Sequence, residues 1–420
     1  MSLAGVNGFP RGVVQNRYNT WQPRIGFAYG LPGKGDTVLR AGFGMFFERV
    51  QGNDVYNAAQ NPPFAYQPSA TNVYFSNTRT SALTGATTTQ AFPSTLTNIS
   101  FRYPPPGTAQ FSLGVQRQIA PSVIGVMQYV GSLGWTQNNA RAINTLPLND
   151  LIHRQGVANG TLNANLYRQY PGYSSITEEE NRTNFSYHSL QVGARMENRH
   201  GLTFQLAYTY SHEIDTATND LNTVSNPFNI AYDRASGGFD RRHIFNANYF
   251  YKLPFFTKSG NALERSVLGG WEVSGVTVWQ SGVPQPLTYN GPDTLGLGGG
   301  TTNRPNVVGK ITYPKTRLAW FDKSAFAAPL APWAGGANQG FGNTAKDAIV
   351  LPGLVNFNLA AFKSFSFTEG VRLEMRVESF NTFNHTQFQN IDAGTNDANF
   401  GQVTSTYDPR TLQLGAKLSF

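Results

Sequence analysis

Residues 368–378 read TEGVRLEMRVE, and within them Val371, Leu373, Met375 and Val377 alternate without error with Arg372, Glu374, Arg376 and Glu378. Successive side chains of a strand point to opposite faces, so this period of two describes a strand with one apolar and one charged face. The last ten residues, TLQLGAKLSF, follow the same design. Leu412, Leu414, Ala416, Leu418 and Phe420 share one side, while Thr411, Gln413, Lys417 and Ser419 share the other. Such an oily face meets either a protein core or lipid.

The alternation recurs in pairs around short turns, as in β-hairpins. Leu190, Val192, Ala194 and Met196 precede a turn at Asn198–Gly201, and Leu202, Phe204, Leu206, Tyr208 and Tyr210 follow it. Ile25, Phe27 and Tyr29 stand before a PGKGD turn, with Leu39, Ala41, Phe43, Met45 and Phe47 after it. Phe111, Leu113, Val115 and Ile119 lead to Ala120–Ser122, after which VIGVMQYV is apolar on both faces and leaves its orientation open. RRHIFNANYFYKL and LGGWEVSGVTVWQ form a further pair, and GLVNFNLAAFKSFSF pairs with the strand after Gly370, its alternation slipping near Ala360–Phe362. About eleven strands result. Long stretches rich in Asn, Thr, Gly and Pro separate the hairpins, at 48–108, 134–186, 212–240, 282–352 and 385–408.

Short turns on one side and long loops on the other are the pattern of an outer-membrane barrel. The competing architecture, a secreted β-sandwich, alternates similarly but uses strands of about five or six residues. Only 13% of residues are charged and 13% are aromatic, with 30 Phe and 19 Tyr. No run of eighteen apolar residues occurs and mean hydropathy is −0.33, which removes helical membrane spans but leaves barrel strands open. Trp271 and Trp279 share a face eight residues apart. At ~3.3 Å per residue and a tilt near 40° they stand about 20 Å apart vertically, close to the spacing of two aromatic girdles. Tyr208 and Tyr210 end another strand and join the expected girdle. The sequence therefore predicts an all-β, antiparallel transmembrane β-barrel.

Chemistry is sparse. Without cysteine there are no disulfides, thiolate metal sites or Cys nucleophiles. Six histidines, at 153, 188, 200, 212, 243 and 385, form no His-Glu-x-x-His pair, so no metal or other cofactor and no enzyme activity are expected. The net charge of +8 is scattered, as for a mildly basic lumen or rim, without a nucleic-acid arm. LGLGGG at 295–300 lacks the Gly-Lys-Ser/Thr of a phosphate loop and reads as a flexible loop. Arg372, Glu374, Arg376 and Glu378 suit either a charged lumen that guides a solute or a cross-strand ladder of opposite charges. Arg241 and Arg242 stand at the expected outer rim, placed to meet lipopolysaccharide phosphate or to pair with Asp240. Asp215, Asp220, Asp233 and Asp240 match no calcium-loop spacing.

Several stretches together resemble the C-terminal barrel of TonB-dependent outer-membrane receptors, specifically the Oar-like group. They are WQPRIGFAYGLPGKGDTVLRAGFGMFFER (21–49), FSLGVQRQIAPSVIGVMQYVGSLGW (111–135), FDRRHIFNANYFYKLPF (239–255), LGGWEVSGVTVWQSGVP (268–284), NRPNVVG (303–309), FNTFNHTQF (380–388) and the terminal strand. The resemblance implies a single partial barrel domain over 1–420, corresponding to strands twelve to twenty-two of a 22-stranded barrel and opening in an extracellular loop at GVNGFPRG. Met1 lacks an export signal behind it, which fits a fragment or an internal start. Signal peptide, TonB box and plug are then expected outside these residues, and the TonB system acts only through them. The implied function is uptake of a bulky nutrient in the outer membrane of a Gram-negative bacterium, with loops 48–108, 134–186 and 282–352 gathering the solute. A plugless porin or a surface adhesin is the alternative. Implied partners are outer-membrane lipid, lipopolysaccharide and the barrel-assembly machinery, the last reading Leu418 and Phe420.

Overall fold

The computed structural model describes residues 5–8, 10–15, 17–32, 36–61, 93–368 and 370–420. Eleven strands form one antiparallel meander whose spatial order follows the chain. They are β1 (Arg24–Gly30), β2 (Thr37–Phe47), β3 (Gly107–Ala120), β4 (Val123–Ala142), β5 (Tyr173–Arg199) and β6 (Leu202–Asp215), then β7 (His243–Lys252), β8 (Trp271–Gln280), β9 (Leu354–Ser366), β10 (Arg372–Phe380) and β11 (Thr411–Ser419). Two short strands join the sheet: Ser94–Ile99 runs parallel to the start of β5, and Ala235–Ser236 lies beside the end of β6. Among the described residues β1 pairs only with β2 and β11 only with β10, so the sheet is open at both edges.

Links at one end of the wall are mostly short, with only Pro121–Ser122 between β3 and β4 and His200–Gly201 between β5 and β6; the link 253–270 between β7 and β8 is longer and carries a short helix, Ala262–Val267. Ser122, His200 and Gly201 take positive φ values of 65°, 54° and 82°, which reverse the chain within two residues. The PGKGD turn lies partly outside the described residues. At the other end the links span 48–106, 143–172, 216–242, 281–353 and 381–410.

Register makes the apolar face continuous. Tyr29, Leu39, Val115, Met127, Val192, Tyr208, Phe245, Trp279 and Val355 are successive cross-strand partners through nine strands. The row begins at the short-turn end of β1 and finishes at the long-loop end of β9, the stagger of a tilted barrel wall. Its members and neighbours are open to the surroundings, with Leu113 58%, Met127 51% and Leu414 79% exposed. A contiguous apolar face of this size is foreign to a water-soluble surface and matches a lipid-facing wall. No described helix is long and apolar enough to cross a membrane.

The ambiguous strand VIGVMQYV is settled by pairing. Met127 and Tyr129 stand opposite Val192 and Leu190, while Gln128 donates to Gln191 Oε1 at 2.8 Å on the other face. The slip in β9 also has a cause. Phe362 lies on the polar face beneath the Arg376 guanidinium, 5.1 Å from its ring centre. Lys363 falls on the apolar face, where its Nζ donates to the Gly269 carbonyl at the strand end.

One expectation is corrected. Residues 134–186 are not one long loop, because β4 reaches 20 residues and β5 27, well past the 9–11 a membrane crossing needs. Their far halves, TQNNARA and SSITEEENRTN, are polar on both faces and so carry no period-two signal. Arg141 holds this extension by ion pairs to Glu178 at 2.8 Å and Glu180 at 3.0 Å.

Glycine supplies space on the wall. A Cβ at Gly275 would lie 2.5 Å from the Tyr249 ring on the neighbouring strand, and one at Gly131 only 2.3 Å from Phe111. Gly275→Val should therefore push Tyr249 off its seat and cost about 1–3 kcal/mol. Heat-modifiable gel mobility of outer-membrane extracts should show the folded band lost at lower temperature; an unchanged melting point would contradict the close packing.

Candidate functional site

The polar face of the wall is the first place where function can reside. Arg195, Gln205, Asn248 and Asn358 stand in one row, with Val276 between the last two, and Ser274 and Glu378 lie in the next. They line a cavity of about 690 Å³ on the concave side. Arg372, Glu374, Arg376 and Glu378 share this face near its β11 edge. Their charges pair along β10, Arg376 reaching Glu374 at 2.9 Å and Glu378 at 3.6 Å. Across the strands Glu374 stands opposite Lys417, the one opposite-charge register partner of these four residues. The partners opposite Arg376 are Phe362 and Gly415, neither of them charged, and Arg372 donates across to Ser364 Oγ at 2.7 Å.

Where the long links leave the wall, a smaller pocket of about 290 Å³ opens at the rim. Helix α1 (Gly52–Ala59) directs Asp54 into it, with Tyr103, Asn138, Glu213 and Asp220 also lining it. Asp54 is 1% exposed. One carboxylate oxygen accepts from the Tyr103 hydroxyl and from Asn138 at 3.2 Å, while Oδ1 has no partner among the described residues. Burial pushes its carboxyl above the usual range, against the lowering effect of the Tyr103 hydrogen bond, and nearby Asp220 adds to the rise.

Above the wall the links fold into a packed cap rather than loose loops. Leu287, Trp320, Phe321, Ile349, Ile391 and Phe400 form one core, and Leu295, Leu297 and Phe341 another. Burial needs paired charge, and the cap supplies it. Lys346 meets Asp215 at 2.6 Å, and Arg304 meets Asp233 at 3.2 Å while stacking 3.7 Å over Tyr232. Arg154 is fully buried and donates to the carbonyls of Leu295, Leu148 and Gln339. LGLGGG is therefore a packed segment, correcting its reading as a flexible loop. A Cβ at Gly296 would lie 2.0 Å from the Arg154 carbonyl oxygen, and Gly296 and Gly298–Gly300 all have positive φ.

The other expected residues are dispersed. Arg242 pairs with Asp240 at 3.0 Å and Arg241 donates to the Ser281 carbonyl at 2.8 Å, so both have local partners. Asp215, Asp233 and Asp240 each take a different cation, and no metal-holding group of three or more occurs among the described residues. Trp271 and Trp279 occupy the two ends of β8 on the apolar face. Tyr208 donates to or accepts from His243 Nδ1 at 2.8 Å, and Tyr210 and Trp279 pack against the same imidazole. Leu418 and Phe420 are exposed at the open edge, Phe420 by 96%.

A family profile described as "Outer membrane beta barrel domain" matches residues 1–413. The chain belongs to that family. Its place is the outer membrane of a Gram-negative bacterium. Among solved structures, this outer-membrane barrel chain is similar to the outer membrane transporter YddB from Escherichia coli. The identity is 10% and the TM-score 0.52, over 95% of this chain and 40% of that one. The ferripyoverdine receptor of the outer membrane of Pseudomonas aeruginosa is 13% identical with a TM-score of 0.44, over 94% and 32%. The ferric citrate transporter FecA is 12% identical with a TM-score of 0.43, over 94% and 38%. The outer-membrane barrel chain thus spans two fifths or less of these receptors' length. A search of the curated proteins finds no match.

Two outcomes follow for the rim and the cap. The folded state holds the Asp54 proton more tightly than the unfolded chain, so this contribution to stability falls as pH rises above the ordinary carboxyl value of 3.8. Asp54→Asn should stabilise the rim at pH 8 and not at pH 3, read as limited proteolysis; equal effects at both would contradict the raised carboxyl. Lys346→Met strands the buried Asp215 carboxylate and should cost about 3–5 kcal/mol in the cap. Proteolysis within 281–353 should accelerate while the folded wall survives.

Proposed function

We propose that the chain forms the C-terminal eleven strands of the barrel of a TonB-dependent, Oar-like outer-membrane transporter that takes up a bulky nutrient. The observation that carries this reading is the direction of the two edges. The described strands alternate in direction from β1 to β11, so both edges run toward the short-turn end. Antiparallel closure needs an odd number of further strands, and a second copy of the same sheet would meet it in parallel. Hydrocarbon offers no hydrogen bonds to an open edge, so further strands complete the wall. Eleven more give the 22 implied by the sequence resemblance.

In this reading the concave polar face, with Arg372, Glu374, Arg376 and Glu378, lines the lumen in which a plug would sit. The packed cap faces the cell exterior and gathers solute. TonB couples through regions outside these residues. Trp271, Trp279, Tyr208 and Tyr210 anchor the wall at the two interfaces, where rings with a polar tip are favoured. Arg241 and Arg242 lie at the outer rim near lipopolysaccharide, and Leu418 and Phe420 present the terminal strand to the barrel-assembly machinery.

The 420-residue chain expressed alone should give no heat-modifiable band, whereas the product including the strands proposed to complete the wall should. A band from the 420 residues alone would favour a plugless porin. Deleting Phe420 from the complete product should remove most of the assembled barrel from outer-membrane fractions; undiminished assembly would contradict the terminal signal.

A further inference from the structure

A third cavity, of about 490 Å³, opens on the cap between three links. No residue lining it carries a formal charge. This is unusual for its setting, because Arg154, Arg304, Lys346 and Asp347 all lie within a few residues of the lining in sequence or in contact. Their charges turn away into the cap, where Arg304 meets Asp233, Lys346 meets Asp215 and Asp347, and Arg154 binds carbonyls. What faces the opening is amide and aromatic: Asn226, Asn229, Asn338, Gln339 and Asn343, with Phe228.

The amides are spent on one side only. Asn226 Oδ1 accepts from the Phe228 backbone at 3.0 Å, and Asn343 Oδ1 from the Val307 backbone at 2.7 Å. Gln339 Oε1 accepts from Arg154 at 2.9 Å, and the same guanidinium holds the Gln339 carbonyl at 2.8 Å. In each the oxygen is used, and among the described residues the NH₂ group has no partner. A side-chain amide carries two N–H donors, so this fixes three donor groups at the cavity wall. Asn229 and Asn338 have neither end engaged by a side-chain hydrogen bond and supply acceptors as well as donors. Phe228 is 48% exposed and offers an apolar face beside them.

The platform is held in a costly conformation. Asn338 and Gln339 both adopt left-handed backbone angles, φ 51° and 59°, followed by Gly340 at 91°. Consecutive non-glycine residues in this region persist only when their surroundings enforce them, and such strain gathers at ligand clamps. Arg154, Thr294 and Asn303 enforce it here, the last two donating to the Gly340 carbonyl at 3.0 Å and 2.9 Å.

We infer that this cavity is a binding site for a neutral carbohydrate. A sugar ring presents one apolar C–H face and a circle of hydroxyl groups that accept and donate. The apolar face packs on Phe228, and the hydroxyls meet the amide groups of Asn226, Asn229, Asn338, Gln339 and Asn343. An anionic ligand would find no cation in the lining, and a cationic one no carboxylate. A peptide would find no open strand edge to extend. The inference deepens the transporter reading, since the cap faces the exterior in that account, and names the class of solute captured there.

The experiment applies the detergent-solubilised full-length protein to an array of immobilised neutral glycans comprising α- and β-glucans, xylans, mannans and galactans. At least one class should bind, and Phe228→Ala and Asn229→Ala should each weaken it about tenfold, with the melting temperature unchanged because both residues are exposed. Binding to none of the neutral glycans, or binding untouched by both substitutions, would overturn the inference. So would a preference for charged over neutral glycans. Labelling of Lys310→Cys, exposed on the link that carries Asn338 but outside the lining, by an impermeant maleimide on intact cells reads the transporter topology separately: a labelled protein that binds no glycan fails the site alone, while an unlabelled one fails the orientation.

Discussion

Within hydrocarbon a backbone N–H or C=O that finds no partner costs several kcal/mol, and this single cost organises the wall. It forces each strand to satisfy its groups on its neighbours. The result is a ladder in which β2 to β10 are paired on both sides, with register shifts near Ala120, Gln137 and Met196. It also dictates the side chains, because with the backbone satisfied only alternate residues touch lipid. The row from Tyr29 to Val355 is the outcome: nine strands contribute one apolar or aromatic residue each to a single cross-strand row. The polar row beside it, from Arg40 through Gln128 and Gln191 to Gln280, faces the concave side. The glycines at 131 and 275 belong to the same economy of space, letting an aromatic ring lie flat across the adjacent strand.

Above the membrane the physics changes, and so does the architecture. Water satisfies free backbone groups there, so the chain no longer needs a ladder and the links build a globular cap instead. That cap has its own apolar cores and its own buried charges, each matched by a partner from a distant link. Lys346 and Asp215 are 131 residues apart, and Arg154 and Gln339 are 185 apart. Such long-range pairs make the links one body with fixed cavities.

The wall was legible in the sequence because its rule is local. Leu373 to Val377 in β10 and Leu190 to Met196 in β5 each show the period of two within a single strand. VIGVMQYV could not be oriented from its own residues, since both faces are apolar, and only the pairing of Gln128 with Gln191 fixes it. The extension of β4 and β5 was invisible for a related reason: a strand that is wet or polar on both sides carries no alternation. The cap was illegible because nothing local announces that Arg154 is buried or that Leu295 and Leu297 sit in a core. A glycine-rich stretch looks alike whether it is loose or pressed against a guanidinium. Asp54 and Tyr103 likewise meet across 49 residues with no motif to join them.

The central claim is that lipid solvates every second side chain of the wall. These 420 residues contain no cysteine, so single cysteines can be placed from 188 to 196 on β5 of the product that includes the strands completing the wall, and spin-labelled in reconstituted bilayers. Collision rates with oxygen and with a polar nickel complex should alternate with a period of two, oxygen-rich at 190, 192, 194 and 196 and nickel-rich at 189, 191, 193 and 195. Uniform shielding at all these positions, as inside a protein core, would contradict the account.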